Sequence, residues 1–235
     1  SVSDIRRIDA PTEVDHYQLR RAIDIYVNLK GEDLGRAANA IDRIVKDTKL
    51  PEGVFVDLRG MVQGMRASFR SFGLGLLLAI LLLYLILVAQ FESFLDPLLI
   101  LLAVPMGLSG VLLTLWLTGT SLNVQSLMGV VMMVGIVVSN SILIVEFTRR
   151  LREEGHALEE AVALACRIRL RPILMTSLAT IFGLLPMALK LGTGSEAYAP
   201  LARAIIGGLT ISLVTTVFIV PAAYLLVYRR KEQAV

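Results

Sequence analysis

Residues 127–147 read LMGVVMMVGIVVSNSILIVEF. A helix needs roughly 20 apolar residues to cross the hydrocarbon core of a bilayer, and this stretch has about that length. Ser139, Asn140 and Ser141 stand in a row inside it. Polar side chains in lipid are costly unless they find partners. Such a triplet either hydrogen-bonds across a helix interface, as Ser and Asn commonly do, or lines a path for ions or water.

The rest of the chain suits a membrane setting. Of 235 residues, 55% are hydrophobic and only 18% charged, against about a quarter charged in ordinary globular domains. The charges crowd into residues 1–70, 149–171 and 228–232. A net charge of +3 could suit nucleic acid. Here the basic residues flank apolar spans, as orientation signals do, so no nucleic-acid partner is expected. One cysteine, Cys166, excludes an intramolecular disulfide and a multi-Cys metal site. No metal or cofactor is expected. The chain begins Ser-Val-Ser, with no initiator Met or signal peptide. It reads as the C-terminal piece of something longer.

Five apolar spans are expected: 71–90, 97–117, 127–147, 171–191 and 201–227. Pro105 and Gly107 interrupt the second, and Trp116 suits an interface anchor near its end. The fourth begins at Pro172, suited to a first helical turn, and is loosened near Gly183 and Pro186. In the fifth, Gly207-Gly208 allows close helix approach. Residues 149–170 are amphipathic and charged, which predicts a helix lying at the membrane surface. Residues 229–235 form a short tail.

Residues 1–69 are a soluble module. Ile23, Ile25, Val27 and Leu29 alternate with polar or half-polar residues, as do Val54, Val56 and Leu58, predicting two strands. Between them Leu34, Ala37, Ala38, Ile41, Ile44 and Val45 fall at helical spacing. The expected module is βαβ, with Ile5 to Ile8 as a possible edge strand before Pro11 and a break at Lys30 to Asp33. So small a sheet buries little core by itself. The fold class is therefore mainly α: a five-helix transmembrane bundle, residues 70–228, behind a small α/β module.

Arg149, Arg150, Arg152, Arg167, Arg169 and Arg171 share one side with Arg229, Arg230 and Lys231, while the opposite short loops hold only Lys190 and Arg203. The positive-inside rule puts the arginine-rich side and the C-terminus in the cytoplasm. Five spans then leave residues 1–69 outside.

FESFLDPLLILLAVPMGLSG (91–110), SNSILIVEF (139–147), RLRPILMTS (169–177) and GGLTISLVTTVFIVPAAY (207–224) resemble the resistance-nodulation-division (RND) efflux transporters, nearest their hydrophobe/amphiphile multidrug branch. The resemblance covers nearly the whole chain. It implies a longer parent with two six-helix halves, of which this chain is the end of the second periplasmic loop plus the last five helices. It also implies a multi-pass protein of the bacterial inner membrane, working as a homotrimer with a periplasmic adaptor and an outer-membrane channel. Proton entry would drive export of amphiphilic, drug-like compounds. The family relay sets acidic residues of the first half against a Lys, an Arg and a Thr of the second. Carried over, the Lys position holds Ser139, the neighbouring Asn is Asn140, the Arg is Arg169 and the Thr is Thr176. Ser139 departs from the pattern, because a hydroxyl cannot hold the fixed charge of a Lys. A rearranged network, a less active protomer in a mixed assembly, or another coupling ion would each accommodate it. Arg169 could equally be a membrane-edge anchor.

An enzyme is the rival class. Gly107-Leu108-Ser109-Gly110 matches the short GxSG pattern of rhomboid-type proteases. A Ser nucleophile needs a base in reach, yet His16 and His156 both lie outside the spans, so Gly107 and Ser109 read as helix-packing residues. The HExxH pattern and the phosphate-binding Gly-rich loop with Lys are both absent. Within the superfamily, a metal-exporting branch and a protein-export accessory branch remain alternatives. Paired methionines would mark soft-metal export; Met132 and Met133 are adjacent in sequence rather than stacked on one face.

Overall fold

The computed structural model describes residues 14–29, 34–51 and 53–233. The chain divides into two compact units, residues 1–57 and 58–235.

In the first unit, β1 (Asp15–Tyr17) pairs antiparallel with β2 (Arg20–Ala22), His16 facing Arg21. Gln18 and Leu19 form the two-residue turn with φ of 48° and 66°, the positive values that a twist-matched hairpin requires. α1 (Leu34–Asp47) is the expected amphipathic helix and buries Ala38. The strands expected at 23–29 and 54–58 do not form: the described residues there join no ladder. The strand pair is the hairpin at 15–22 instead. Alternating hydrophobicity prepares a strand, but backbone groups need a neighbouring edge to bond. Ile23 and Phe55 are accordingly 91% and 80% exposed. The Ile5 to Ile8 edge strand and the Lys30 to Asp33 break lie outside the described residues.

Among its described residues the second unit is helices joined by short turns, and five segments are long and apolar enough to cross a membrane. α2 (Met61–Phe91) continues from its polar lead-in into the first span without a break. The second span is two pieces, α3 (Leu95–Leu101) and α4 (Ala103–Leu117). The break falls at Leu102 rather than at Pro105 itself. A proline cannot donate to the carbonyl four residues back, and its ring crowds that group; for Pro105 that carbonyl belongs to Leu101. α5 (Val124–Glu153) starts at a reciprocal cap, Asn123 accepting from the Ser126 amide and Ser126 from that of Asn123, both at 2.9 Å. It stops at Gly155, φ 96°, where His156 N–H reaches Leu151 O and Gly155 N–H reaches Arg152 O. This is the left-handed cap that glycine favours.

α6 (Leu158–Ala188) then runs unbroken. The separate surface helix expected over 149–170 is thus corrected: its first residues end α5, and the remainder is the start of α6. Pro172 sits inside α6 rather than in its first turn. Membrane helices tolerate an internal proline, whereas the glycine-capped turn at 155 ends a helix outright. The fifth span is α7 (Ser195–Val214), a π-helical turn (Thr215–Ile219) and α8 (Val220–Gln233). The wide turn lies just before Pro221, which has no N–H for the Val217 carbonyl.

α4, α5 and α7 form the packed centre, with Val111, Met133, Val137 and Leu209 almost wholly buried. Glycines set how closely they approach. A Cβ on Gly110 would fall 2.5 Å from Gly207 O, one on Gly129 2.7 Å from Leu201 O, and one on Gly208 2.5 Å from Met133 Cγ. Close backbone approach at small residues is how helices gain contact in lipid, where apolar burial brings no gain. α2 has only 6% of its span buried, against 56% for α5, so α5 is central and α2 peripheral.

Candidate functional site: a polar groove in mid-span

The three polar residues of α5 face different ways because a helix turns about 100° per residue. Ser141 is fully buried, and its hydroxyl returns to Val137 O at 3.0 Å within its own helix. Asn140, 9% exposed, donates Nδ2 to Ser177 Oγ of α6 at 3.4 Å. Ser139 faces the open side of the helix.

Ser139 and Asn140 line a groove of about 430 Å³ between α5 and α6, and Thr176 and Thr180 face them from α6. Pro172 and Ile173 lie at its edge. Thr176 donates to Pro172 O at 3.2 Å or Ile173 O at 3.1 Å, and Thr180 to Thr176 O at 2.8 Å. Both hydroxyls therefore keep lone pairs for a further donor. Gly135 forms part of the α5 wall, and nothing stands within 4 Å of where its Cβ would be. The groove is an open cleft of hydroxyl and amide groups on otherwise apolar spans.

Arg169 does not line this groove. It sits about two helical turns before Thr176, half-buried, its guanidinium carbon 4.6 Å from the centre of the Phe147 ring. Its Nε is buried without a hydrogen-bond partner among the described residues. A guanidinium over an aromatic face keeps its charge with favourable contact. Ser177 and Thr180 were not singled out from sequence. Their signal was spacing: residues 173, 176, 177 and 180 share one helical face.

The GxSG residues make backbone and packing contacts. Ser109 is exposed and donates to Met106 O at 2.6 Å. Gly107 lies against Met133, whose Sδ is 2.9 Å from the place of its Cβ. His156 pairs with Glu160 at 3.5 Å, and His16 lies in β1. Met133 is wholly buried between Gly107 and Gly208, while Met132 is 55% exposed. The two methionines do not form a pair.

Residues 1–228 match the AcrB/AcrD/AcrF family, and the chain belongs to that family of RND transporters. With its five spanning helices it is a multi-pass membrane protein. Among its relatives is the cobalt-zinc-cadmium resistance protein CzcA of Cupriavidus metallidurans, 32% identical over 234 residues, 99% of this chain and 22% of that protein. The multidrug resistance protein MdtC of Pectobacterium carotovorum is 37% identical over 220 residues, 93% of this chain and 21% of its own length. The crystal structure of a heavy metal efflux pump superposes with a TM-score of 0.74 at 31% identity, covering 86% of this chain and 20% of the pump. The chain thus spans about a fifth of the length of the relatives it matches.

Proposed function

We propose that this chain is the C-terminal part of a proton-driven inner-membrane exporter, and that the α5–α6 groove is where ion entry is coupled to transport. The observation that carries this reading is the cleft itself. Ser139, Asn140 and Thr176 meet in mid-span, where exposed hydroxyls against lipid would be unfavourable. A helix from the remaining half of the parent, bearing carboxylates, is a fitting occupant. A hydroxyl at Ser139 offers hydrogen bonds and a place for water, but no charge to grip an ionised acid. On α6 the guanidinium of Arg169, about two helical turns before Thr176, is held over the Phe147 ring.

Amphiphilic, drug-like compounds are the proposed cargo, supported by the RLRPILMTS and FESF runs and by the MdtC likeness. Metal ions are the second reading, supported by the CzcA likeness and the superposed heavy metal pump. The proposed setting is a homotrimer joined to a periplasmic adaptor and outer-membrane channel, with residues 1–69 periplasmic.

The test is expression of the full parent in a pump-deficient host. Dye accumulation and tolerance to cobalt, zinc and cadmium are followed for wild type, Ser139→Lys, Ser139→Ala and Ser109→Ala. Coupling at the groove requires that both Ser139 variants change export more than Ser109→Ala. Equal effects would return Ser139 to a packing role. Export of metal but not dye would select the second cargo.

A further inference from the structure

A second polar pocket lies at the C-terminal end of α5. The corner between α2 and α3 meets the last turns of α5 and the body of α8 around a space of about 400 Å³, open on one side. α5 supplies Arg149 and Arg152, the corner supplies Glu92 and Asp96, and α8 supplies Tyr224 and Tyr228. None of these residues belongs to the groove at Ser139.

The wall is held by protein contacts. Asp96 is 2% exposed and accepts from the Tyr228 hydroxyl at 2.7 Å. The two tyrosine rings stack 4.4 Å apart, and the Arg152 guanidinium lies 5.1 Å above the Tyr228 ring. Arg149 donates Nη1 to Phe91 O, the last carbonyl of α2, and Nε to Glu153 at 3.0 Å. A guanidinium carries five N–H donors. These two contacts orient Arg149 and leave further donors for a ligand.

The lining has both signs of charge. An anion alone would meet Glu92, Asp96 and Glu153; a cation alone would meet two guanidiniums. A zwitterion suits both, its phosphate taken by Arg149 and Arg152 and its ammonium by the carboxylates and the tyrosine faces. The arginine clusters assign this end of the bundle to the cytoplasmic membrane surface, where lipid headgroups lie. Beside the pocket, Leu95 and Leu98 of α3 and Leu226 of α8 are 40%, 56% and 70% exposed, an apolar surface along which acyl chains can run. We propose that this pocket holds the headgroup of a zwitterionic phospholipid with a primary ammonium, of the phosphoethanolamine class. A primary ammonium donates up to three hydrogen bonds to Asp96 and Glu92, which a trimethylammonium cannot do.

The full chain is reconstituted in nanodiscs of phosphatidylcholine alone, or with phosphatidylethanolamine or phosphatidylglycerol added. Unfolding temperature and lipid retained in native mass spectrometry are measured. Phosphatidylethanolamine should be retained about tenfold over phosphatidylcholine, a difference of about 1.4 kcal/mol, and should raise the unfolding temperature most. Glu92→Gln and Arg149→Gln should each remove most of that preference. Among the described residues the Glu92 side chain has no hydrogen bond or ion pair, so Glu92→Gln should unfold like wild type in phosphatidylcholine. Equal response to all three lipids, or wild-type preference in Glu92→Gln, would overturn the site. Competition by soluble phosphoethanolamine as strong as that by the lipid would overturn the lipid as its occupant.

Discussion

Gly110→Ala is the substitution whose cost the geometry defines best. Its Cβ would lie 2.5 Å from the Gly207 carbonyl oxygen and 2.8 Å from Ile211 Cβ. Ordinary contact begins at 3.4 Å, so α4 and α7 would have to part by about 0.9 Å, the difference between those values. The obstructing atom is backbone and cannot rotate away. Overpacking of this kind costs roughly 1–3 kcal/mol, and the separation also loosens neighbouring contacts along both helices. Against this, replacing a mid-helix glycine with alanine gains up to about 1 kcal/mol of helix propensity. The net expectation is a loss of about 1–2 kcal/mol. Gly73→Ala in α2 is the control, because no atom stands within 4 Å of its Cβ; there only the propensity gain remains. Unfolding of the full chain in detergent, followed by circular dichroism against added denaturing detergent, measures both. Gly110→Ala should unfold earlier than wild type, and Gly73→Ala should not. The reverse order would refute the view that glycine contact holds α4 on α7. The double variant Gly110→Ala/Gly207→Ala should lose less than the two single losses combined, because one separation relieves both contacts.

Further expectations concern the polar contacts. Tyr228→Phe strips the buried Asp96 of its hydroxyl donor and should cost about 1–3 kcal/mol in the same unfolding assay; no change would mean that Asp96 is satisfied without it. A double-mutant cycle on Asn140→Ala and Ser177→Ala should give a coupling of about 0.5–1 kcal/mol, the usual size for such a bond between membrane helices, and zero coupling would remove the bond from the interface. Arg203 donates to Ala188 O at 3.0 Å and to Thr120 Oγ1 at 2.6 Å, tying the end of α6 to the α4–α5 loop. Arg203→Ala should therefore raise hydrogen exchange at residues 118–123 and 188–194 together, and an increase at only one of them would refute the tie. In liposomes holding only this chain, a proton gradient should drive no dye movement, since the proposed acids and most of the cargo path lie elsewhere; gradient-driven movement would overturn the division of labour proposed for the two halves.

Much of the bundle was readable from residues because lipid imposes a one-dimensional test. A span must be apolar for about 20 residues, and its charges must gather at its ends. That test found all five spans without any knowledge of contacts. It also found the mid-span triplet, since a polar residue there stands out against its neighbours. It failed where a segment is amphipathic rather than apolar. Residues 149–170 read as a surface helix, yet the glycine cap at Gly155 divides them between α5 and α6. The sequence signal for that cap, Glu-Gly-His after a run of arginines, is local and was outweighed by the amphipathic period.

Residue chemistry by itself determined that this chain is a membrane bundle with one arginine-rich end, because hydropathy and charge position act through the solvent and need no particular partner. Only the tertiary structure decided how Ser139, Asn140 and Ser141 divide their work, one open to a groove, one bonded to α6 and one bonded to its own helix. That division depends on rotation about α5 and on which helix lies alongside. The same holds for the strands: alternation at 23–29 and 54–58 was real, but pairing went to 15–22, since a strand exists only where another edge is there to meet it.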